Sequence, residues 1–355
     1  MNLEKIFEDL LINLGEKKNQ KKINFNVANL GNLPLEIVNN IREFEKNFTT
    51  PNISYQIRDH LVPLILSEVA TLHPNNTHTL YYTGGSTLSL NILLLQISNL
   101  YQKKLNILTS LTDHDGVVLP SKSIGNCFFW NNNLQDTLEK LKHNRVNIDL
   151  LIISDRFYVN GNKNDIKKAK SHLNNYFPKA LLIQDLAQSF SVFDINFSYS
   201  DICFSSAHKW LCGRNGTGFI WVSKKIDKEL DLFELYGSQA SFNKLGIPGG
   251  SDLLGCIENY IALKYRNESD EGYGKFSDDI LEITEGLISN HNECFYIIST
   301  KNIKNPYKTY KKILSKGLDI KYIKSFEIFR ITLPYFLSNY EIQLGIKVLL
   351  EVIRE

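Results

Sequence analysis

From about residue 79 onward, short apolar runs alternate with amphipathic segments. The apolar runs are Thr79–Tyr82, Leu105–Thr109, Leu150–Ser154, Leu181–Asp185, Ile202–Ser205 and Gly218–Val222. Helical periodicity lies between several of them, at Leu88–Tyr101, Leu134–His143 and Asp165–Tyr176. Such alternation is typical of a mainly parallel sheet that is covered by helices on both faces. We therefore expect an α/β fold with a three-layer large domain.

The end of the chain has a different pattern. It predicts a mostly helical stretch and then mixed elements, in the order Leu253–Ile288 (helical), Phe295–Ser299 (strand), Pro306–Lys316 (helix), Ile320–Ile323 and Ile328–Leu333 (strands) and Asn339–Arg354 (helix). This pattern indicates a small α+β C-terminal domain. Residues 1–13 and 36–47 read as amphipathic helices that pack beside it or beside a partner subunit. We expect the large domain at residues 45–245 and the small domain at residues 1–44 and 246–355.

Bulk properties exclude several classes of protein. The net charge is +2 with no basic face, which argues against a nucleic-acid binder. No apolar run is long enough to span a bilayer, and the segment Met1–Lys5 lacks the apolar core of a signal peptide, so a cytoplasmic location is expected. The five cysteines are widely spaced with no Cys-x-x-Cys pair, so we expect reduced thiols and no metal site.

Ligands of open α/β sheets bind at the carboxyl ends of the strands, and a first motif stands there. Thr83-Gly84-Gly85-Ser86-Thr87 joins a predicted strand to a predicted helix. The glycines allow close approach of the backbone, and the helix N-terminus favours negative charge, so a phosphate group fits on Gly85, Ser86 and Thr87. A serine or threonine that caps the helix would give the same letters, and that alternative stays open.

Two further segments follow predicted strands. In Asp113-His114-Asp115, the flat ring of His114 could stack on a planar cofactor, or it could simply be a solvated loop histidine. In the segment from Asp185 to Gln188, the acid ends an apolar strand. A buried carboxylate requires a cation, and a protonated pyridine nitrogen is one. A helix-capping role for Asp185 is the alternative.

The most specific motif is Ser206-Ala207-His208-Lys209-Trp210, which is followed by a turn that contains Gly213, Gly216 and Gly218. A lysine among apolar and aromatic residues should have a lowered pKa, and its amine can then act as a nucleophile. We expect Lys209 to be a catalytic residue, and not an exposed lysine beside a turn.

In their order and spacing, these motifs resemble the class V aminotransferase family of fold-type I enzymes that depend on pyridoxal 5'-phosphate (PLP). The resemblance extends from about residue 24 to the C-terminus. The segments His208–Leu211, Gly218–Trp221 and Asn26–Pro34 resemble the isopenicillin N epimerase-like branch most, and the cysteine desulfurases belong to the same family. The resemblance implies a PLP-transferase large domain, a PLP cofactor, an amino-acid substrate and a homodimer with active sites at the interface.

The same resemblance implies a role for each motif residue. Lys209 forms the Schiff base and moves the α-proton, Asp185 keeps the pyridine nitrogen protonated, and His114 stacks on the ring. Gln188 contacts the ring oxygen. The residues implied at the phosphate are Gly85, Ser86, Thr87, Ser206 and His208, with Ser251 of the Pro248–Ser251 turn reaching the partner subunit's phosphate.

Two residues are implied at the substrate. Phe329-Arg330-Ile331 resembles the segment that supplies the arginine for the substrate carboxylate, and a guanidinium binds a carboxylate in a bidentate fork. A structural salt bridge is the alternative for Arg330. Asn29 would lie near the substrate, unless it is a plain turn residue.

The chain departs from the family pattern in two places. Family members often place an asparagine or serine on the loop after the fourth strand of the fold; here that loop reads Ser154–Gly161, so Arg156, Tyr158 or Asn160 could reshape the pocket, and Arg156 could be a second anion contact. The chain also lacks a recognisable reactive-cysteine loop, and Cys294 precedes an apolar strand, so desulfurase activity is not expected.

The sequence therefore predicts a PLP-dependent enzyme that acts on an α-amino acid, with an aminotransferase-type reaction first. The alternative is a C–S or C–C lyase, or an epimerase, that uses the same quinonoid intermediate. A non-catalytic binding protein of the same fold is a third possibility, which the presence of Lys209 and Asp185 argues against.

Overall fold

The computed structural model describes residues 22–31, 33–46, 51–131, 133–229, 253–267, 281–282, 284 and 287–354. The helices are α1 (Leu35–Lys46), α2 (Pro51–Leu72), α3 (Ser86–Tyr101), α4 (Asp115–Ile124), α5 (Leu134–His143), α6 (Ile166–Tyr176), α7 (Lys224–Asp227), α8 (Leu253–Asn267), α9 (Pro306–Ser315) and α10 (Asn339–Arg354). The strands are β1 (Ile23–Asn24), β2 (His78–Thr83), β3 (Asn106–Ser110), β4 (Asn126–Trp130), β5 (Leu150–Ser154), β6 (Leu181–Asp185), β7 (Ile202–Ser206), β8 (Gly218–Ser223), β9 (Asn290–Asn292), β10 (Phe295–Ser299), β11 (Leu318–Asp319), β12 (Lys321–Ile323) and β13 (Ile328–Thr332).

A seven-stranded sheet forms the centre of the large domain, in the order β2-β8-β7-β6-β5-β3-β4. Strand β8 alone runs in the direction opposite to the other six strands. The central strands β5 and β6 are short and buried on both faces, which is why they read as continuous apolar runs. The predicted, mainly parallel α/β sheet is confirmed.

Alternate strand residues pack against different helices, which produces the three layers. Ile152 and Ile183 belong to the core that lies under α3. Leu151 and Leu182 point the other way, into the core beneath α5 and α6. Farther along the sheet, α1, α2 and α8 cover β7 and β8. No helix in the described residues is long and apolar enough to cross a membrane.

A second sheet, in the order β12-β13-β10-β9, is antiparallel and packs with α9 and α10. This confirms a separate C-terminal α+β region. The N-terminal strand β1 pairs with β11 of this region, whereas α1 buries Ile37 and Ile41 against α2 and α8. The assignment of residues 1–44 to the small domain stays a prediction, and the predicted helix at residues 1–13 lies outside the described residues.

Some elements differ from the prediction. Of the predicted helical stretch Leu253–Ile288, the helix Leu253–Asn267 is confirmed, residues 281–282 are helical and Ile288 is not; most of the stretch after Asn267 lies outside the described residues. Helix α4 and the edge strand β4 were not expected. Proline lies inside both α2 and α4, at Pro63 and Pro120, and a proline normally marks the end of a helical pattern.

Candidate active site

A cavity of about 450 Å³ opens where the carboxyl ends of β3, β5, β6 and β7 meet the N-terminus of α3 and the small-domain strands β12 and β13. Every predicted site residue within the described chain lines it: Asn29, Gly85, Ser86, Thr87, His114, Asp185, Gln188, Ser206, His208, Lys209 and Arg330. Ser251 lies outside the described residues. Residues more than 300 positions apart in the chain are therefore brought to one cavity.

An anion cradle forms one end of the cavity. The backbone N–H of Ser86 donates to Oγ of Ser206 at 3.1 Å, and the two hydroxyl oxygens are 2.5 Å apart. A Cβ atom on Gly85 would lie 3.4 Å from Cε1 of His208. Within the described residues, no side chain caps α3. The first turn of this helix thus points N–H groups and hydroxyls at the cavity, and the simple capping alternative does not apply.

Lys209 follows β7 on a tight loop. Its carbonyl oxygen accepts from the N–H of Cys212 at 2.9 Å, and Cys212 has a positive φ of 60°. Burial lowers the pKa of Lys209, the charge of Arg330 lowers it further, and the carboxylates of Asp185 and Asp113 oppose these effects. A larger fraction of this amine is therefore neutral than in an exposed lysine.

Two carboxylates face the lysine. Asp185 is buried at the end of β6, and Oδ1 accepts from the N–H of Ala187 at 2.8 Å. Burial raises the pKa of Asp185 to about 6, while the charge of Lys209 acts in the opposite direction. The residues after Asp185 form turns, so the helix-capping alternative is wrong. Asp113, whose role the sequence did not indicate, accepts from Oγ of Ser154 at 2.8 Å, and burial raises its pKa.

The ring of His114 is fixed in one tautomer. It caps α4, and Nδ1 accepts from the N–H of Gly116 at 3.0 Å, which leaves the proton on Nε2. Removal from water lowers the pKa of His114 to about 4, with a further contribution from the charge of Lys209. The ring is therefore neutral at physiological pH, and it lies edge-on to Tyr158 with centroids 5.3 Å apart.

Gln188 connects two segments of the cavity wall. Nε2 donates to the carbonyl oxygen of Ala28 at 3.0 Å, and Oε1 accepts from Nε1 of Trp210 at 3.0 Å. The predicted contact with a ring oxygen therefore depends on the second N–H of this amide. The side chain lines the cavity, and it also holds the segment around Asn29 against the Lys209 loop.

Arg330 lies on β13 and is only 2% exposed. Nη1 donates to the carbonyl oxygen of Tyr158, and Nε is buried without a hydrogen-bond partner. It forms no ion pair with any described carboxylate, so the salt-bridge alternative is not seen in this part of the chain. Burial lowers the pKa of Arg330 to about 10.

Arg156 also lines the cavity, but the protein already occupies both of its Nη groups. They donate to the carbonyl oxygen of Gly161 and to Glu293, each at 3.1 Å, and the guanidinium lies 3.5 Å from the ring centre of Phe193. Tyr158 lines the cavity and Asn160 does not. One lining cation, Lys321 of β12, was missed because only strand pairing brings it beside Arg330.

Comparison with known proteins identifies the family. The family model described as aminotransferase class-V matches residues 66–247, just over half of the chain. This chain belongs to the class-V aminotransferase family. It is a PLP-dependent enzyme, as expected, although the family name alone does not fix the reaction.

One curated relative of this class-V enzyme and two solved structures of similar fold illustrate the match. Cysteine desulfurase SufS of Plasmodium falciparum (isolate 3D7) is 25% identical over 252 residues, which are 64% of this chain and 46% of that protein. This chain thus spans less than half the length of that curated relative. The apo structure of cysteine desulfurase from Thermococcus onnurineus NA1 has a TM-score of 0.72 at 14% identity, and the match covers 94% of this chain and 95% of that chain. The cystine C–S lyase C-DES, solved with cysteine persulfide, has a TM-score of 0.69 at 16% identity, and the match covers 92% of this chain and 97% of that chain.

The cavity of this class-V enzyme fits PLP on two observations. Nδ1 of His208 is buried without a partner beside the Ser86 and Ser206 hydroxyls, at a glycine whose missing side chain leaves room for a phosphate. At the other end, the buried carboxylate of Asp185 faces the cavity, where a protonated pyridine nitrogen would compensate its charge. The donor set therefore matches a phosphate at one end and a cationic ring nitrogen at the other.

Proposed function

We propose that this enzyme is a C–S lyase that acts on a cysteine-type α-amino acid. The single observation that carries the proposal is that Lys209 and Arg330 face one cavity that no cysteine lines. Cys203, Cys212, Cys256 and Cys294 are buried, and Cys127 lies on the edge strand β4. The relative from Plasmodium is named a cysteine desulfurase, so sulfur removal is the natural reaction class. A thiol that would accept the sulfur is not at the cavity.

The following residues would hold the cofactor. Ser86, Thr87, Ser206 and His208 would bind the phosphate through hydroxyls, helix N–H groups and the unpaired Nδ1. Asp185 would pair with the ring nitrogen, and the neutral, fixed ring of His114 would lie against the ring face. Lys209 would hold the aldehyde carbon through its amine. When bound, PLP acts as an electron sink for the substrate's Cα.

Arg330 orients the substrate. Its free Nε and its terminal nitrogens can hold an α-carboxylate in a fork, and its position on a strand makes that geometry rigid. The carbonyl of Tyr158, which now accepts from Nη1, keeps the guanidinium in place without adding a negative charge. The α-carbon is thereby presented to Lys209.

Lys209 moves the proton. Its neutral amine takes the proton from Cα, and its lowered pKa keeps that amine available. The Cβ–S bond then breaks, and its electron pair leaves with sulfur. With one water, cysteine would give pyruvate, ammonia and hydrogen sulfide, so no oxidant or reductant is required. A transamination would use the same lysine to return the proton to the cofactor, so the two reactions are distinguished by their products.

We also propose a homodimer. Leu88, which lines the cavity, is 51% exposed, and Leu111 and Leu119 on neighbouring segments are 57% and 59% exposed. Contact with a second subunit would remove these apolar side chains from water. Light scattering at several protein concentrations should give twice the 40.8 kDa chain mass; a monomer at all concentrations would contradict the proposal.

The decisive experiment is product analysis without any keto acid. The PLP-loaded protein is mixed with cysteine or cystine, and absorption, pyruvate, alanine and sulfide are followed together. A lyase yields many equivalents of pyruvate while the yellow band of lysine-bound cofactor persists. Loss of that band to a pyridoxamine spectrum, with no multiple turnover, would establish the aminotransferase reaction instead, and alanine would indicate a desulfurase. Lys209→Ala should lose the band, and Lys225→Ala, an exposed lysine, should keep it.

A further inference from the structure

Two cations lie directly opposite each other on neighbouring strands of the small domain. In the antiparallel pair β12–β13, Lys321 is the register partner of Arg330. Directly opposed residues of such a pair point to the same face, and both of these line the cavity. A substrate in the cavity therefore meets two positive charges on this wall.

Like charges in this position destabilise a sheet unless an anion lies between them or beside them. Nζ of Lys321 donates to Oδ1 of Asn29 at 3.1 Å, a neutral acceptor, and Arg330 donates to a backbone carbonyl. Neither forms an ion pair with any carboxylate in the described part of the chain. Asp319, two residues before Lys321, accepts from Asn26 instead. The charge of Asp319 acts on Lys321 without such a contact, so each of the two cations keeps a side that no described carboxylate pairs with and that can face an anion in the cavity.

The two cations lie at different depths. Arg330 is 2% exposed, and its charge lowers the pKa of Lys209 more than the charge of Lys321 does, so Arg330 is the inner cation. Lys321 is half-buried, and it touches the exposed side chain of Asn29, so it is the outer one. An α-amino acid whose α-carboxylate binds Arg330 would extend its side chain from the Lys209 end toward the rim.

We propose that Lys321 is a specificity-determining residue that binds a second, distal carboxylate, so that the enzyme prefers amino acids with a carboxylate beyond the scissile C–S bond. The identity of the cleaved bond rests on the proposed function, whereas the carboxylate site does not depend on it. A disulfide or thioether of two amino acids has the required arrangement. The neutral oxygen of Asn29 holds the lysine head group at the rim until such a substrate binds.

Ligand binding tests the carboxylate site independently of catalysis. Calorimetry on the PLP-loaded protein compares glutarate, which has two carboxylates, with pentanoate, which has the same carbon count and one. Wild-type protein should bind glutarate about tenfold more tightly, as one charge-assisted hydrogen bond provides. Lys321→Met should abolish this preference with pentanoate unchanged, and Lys321→Arg should keep most of it. The matched control is Lys324→Met, an exposed lysine outside the cavity.

Kinetics then test the substrate class. Cystine is compared with S-methylthiocysteine, which has the same disulfide but no distal carboxylate. Lys321→Met should raise KM for cystine about tenfold with kcat nearly unchanged, and should leave the second substrate unaffected. Equal weakening for both substrates, or for both acids, would assign Lys321 to the α-carboxylate and overturn the proposal, as would no effect at all. A glutarate preference without any elimination would support the carboxylate site and reject the lyase function.

Discussion

Gly31 lies against the backbone of Lys209. A Cβ atom on residue 31 would lie 2.1 Å from the carbonyl oxygen of Lys209 and 2.7 Å from Sγ of Cys212. The N–H of Gly31 donates to the carbonyl oxygen of His208 at 2.7 Å. The N-terminal segment thus forms part of the wall that holds the lysine loop, and only a residue without a side chain permits this approach.

Gly31→Ala is expected to displace the Lys209 loop, because the contact involves a backbone carbonyl that cannot rotate away. We expect a loss of about 3 kcal/mol in the free energy of unfolding and weaker PLP binding, measured by urea denaturation and PLP titration. Gly216→Ala is the control for the free energy of unfolding: a Cβ there meets nothing within 4 Å, so only the positive φ of 85° is unfavourable, at about 1–2 kcal/mol. Equal effects of the two variants would contradict this account.

The charges around Lys209 should control the pH at which it reacts. The rate of PLP uptake by the apoprotein should rise with pH as the amine loses its proton, and level off below the pH expected for an exposed lysine, since burial lowers the pKa. Arg330→Met removes a cation and should move the rise to higher pH. Asp113→Asn removes an anion and should move it to lower pH. Stopped-flow absorbance measures each profile, and shifts in the same direction would refute the charge model.

Substitutions of two adjacent serines should affect different properties, one the binding of phosphate and the other the stability of the fold. Ser206 lines the cavity and pairs with Ser86, whereas Oγ of Ser205 donates to the carbonyl of Leu186 at 3.3 Å on the other face of β7. Ser206→Ala should raise the Kd for PLP about tenfold. Ser205→Ala should leave that Kd unchanged and lower only the melting temperature. PLP titrations followed by absorbance, with thermal unfolding of the apoproteins, provide the comparison.

His73 should make stability depend on pH. The side chain is buried, Nε2 accepts from the N–H of Ser191 at 3.1 Å, and burial lowers its pKa to about 4, against a partial opposing effect of Asp194. The unfolded chain protonates this ring near pH 6.5, so stability present above that pH is lost as the pH falls toward 4.

Over this window, one buried histidine contributes a slope of about 1.4 kcal/mol per pH unit to the free energy of unfolding. Asp185, whose folded-state pKa is raised to about 6, contributes with the opposite sign. Urea denaturation at pH 4.5 to 7 should show a shallower slope for His73→Gln than for wild type. His143→Gln, an exposed histidine at the end of α5, should behave as wild type.

Strand and helix periods predicted most of the large domain. Leu134–His143, Leu150–Ser154, Leu181–Asp185 and Asn339–Arg354 were predicted with the bounds that the structure has. Buried parallel strands appear in the sequence as unbroken apolar runs, and a helix with one buried face appears as apolar residues at helical spacing. Both patterns involve only residues close together in the chain. The edge strand β4 was missed although four of its five residues, Cys127 to Trp130, are apolar; these side chains are only half-buried.

Some residues of the candidate site could likewise be predicted from the sequence, and others could not. Gly85, Asp185 and Lys209 stand at strand ends, where the α/β architecture itself places ligands, so sequence alone could single them out. Gln188 was found by motif, but its contacts with Ala28 and Trp210 were not, since they join segments far apart in the chain. Lys321 carried no signal at all, because a lysine on a short half-buried strand looks like any solvated lysine.

The amino-acid sequence by itself determined the α/β layering, the lysine motif and the position of the anion-binding turn, because each depends on residues within a few positions of one another. Only the tertiary structure decided which charges face Lys209, that Gly31 lies on its carbonyl, and that Lys321 stands opposite Arg330. Those relationships arise from strand register and from packing between the two domains, and no local period in the chain encodes either one.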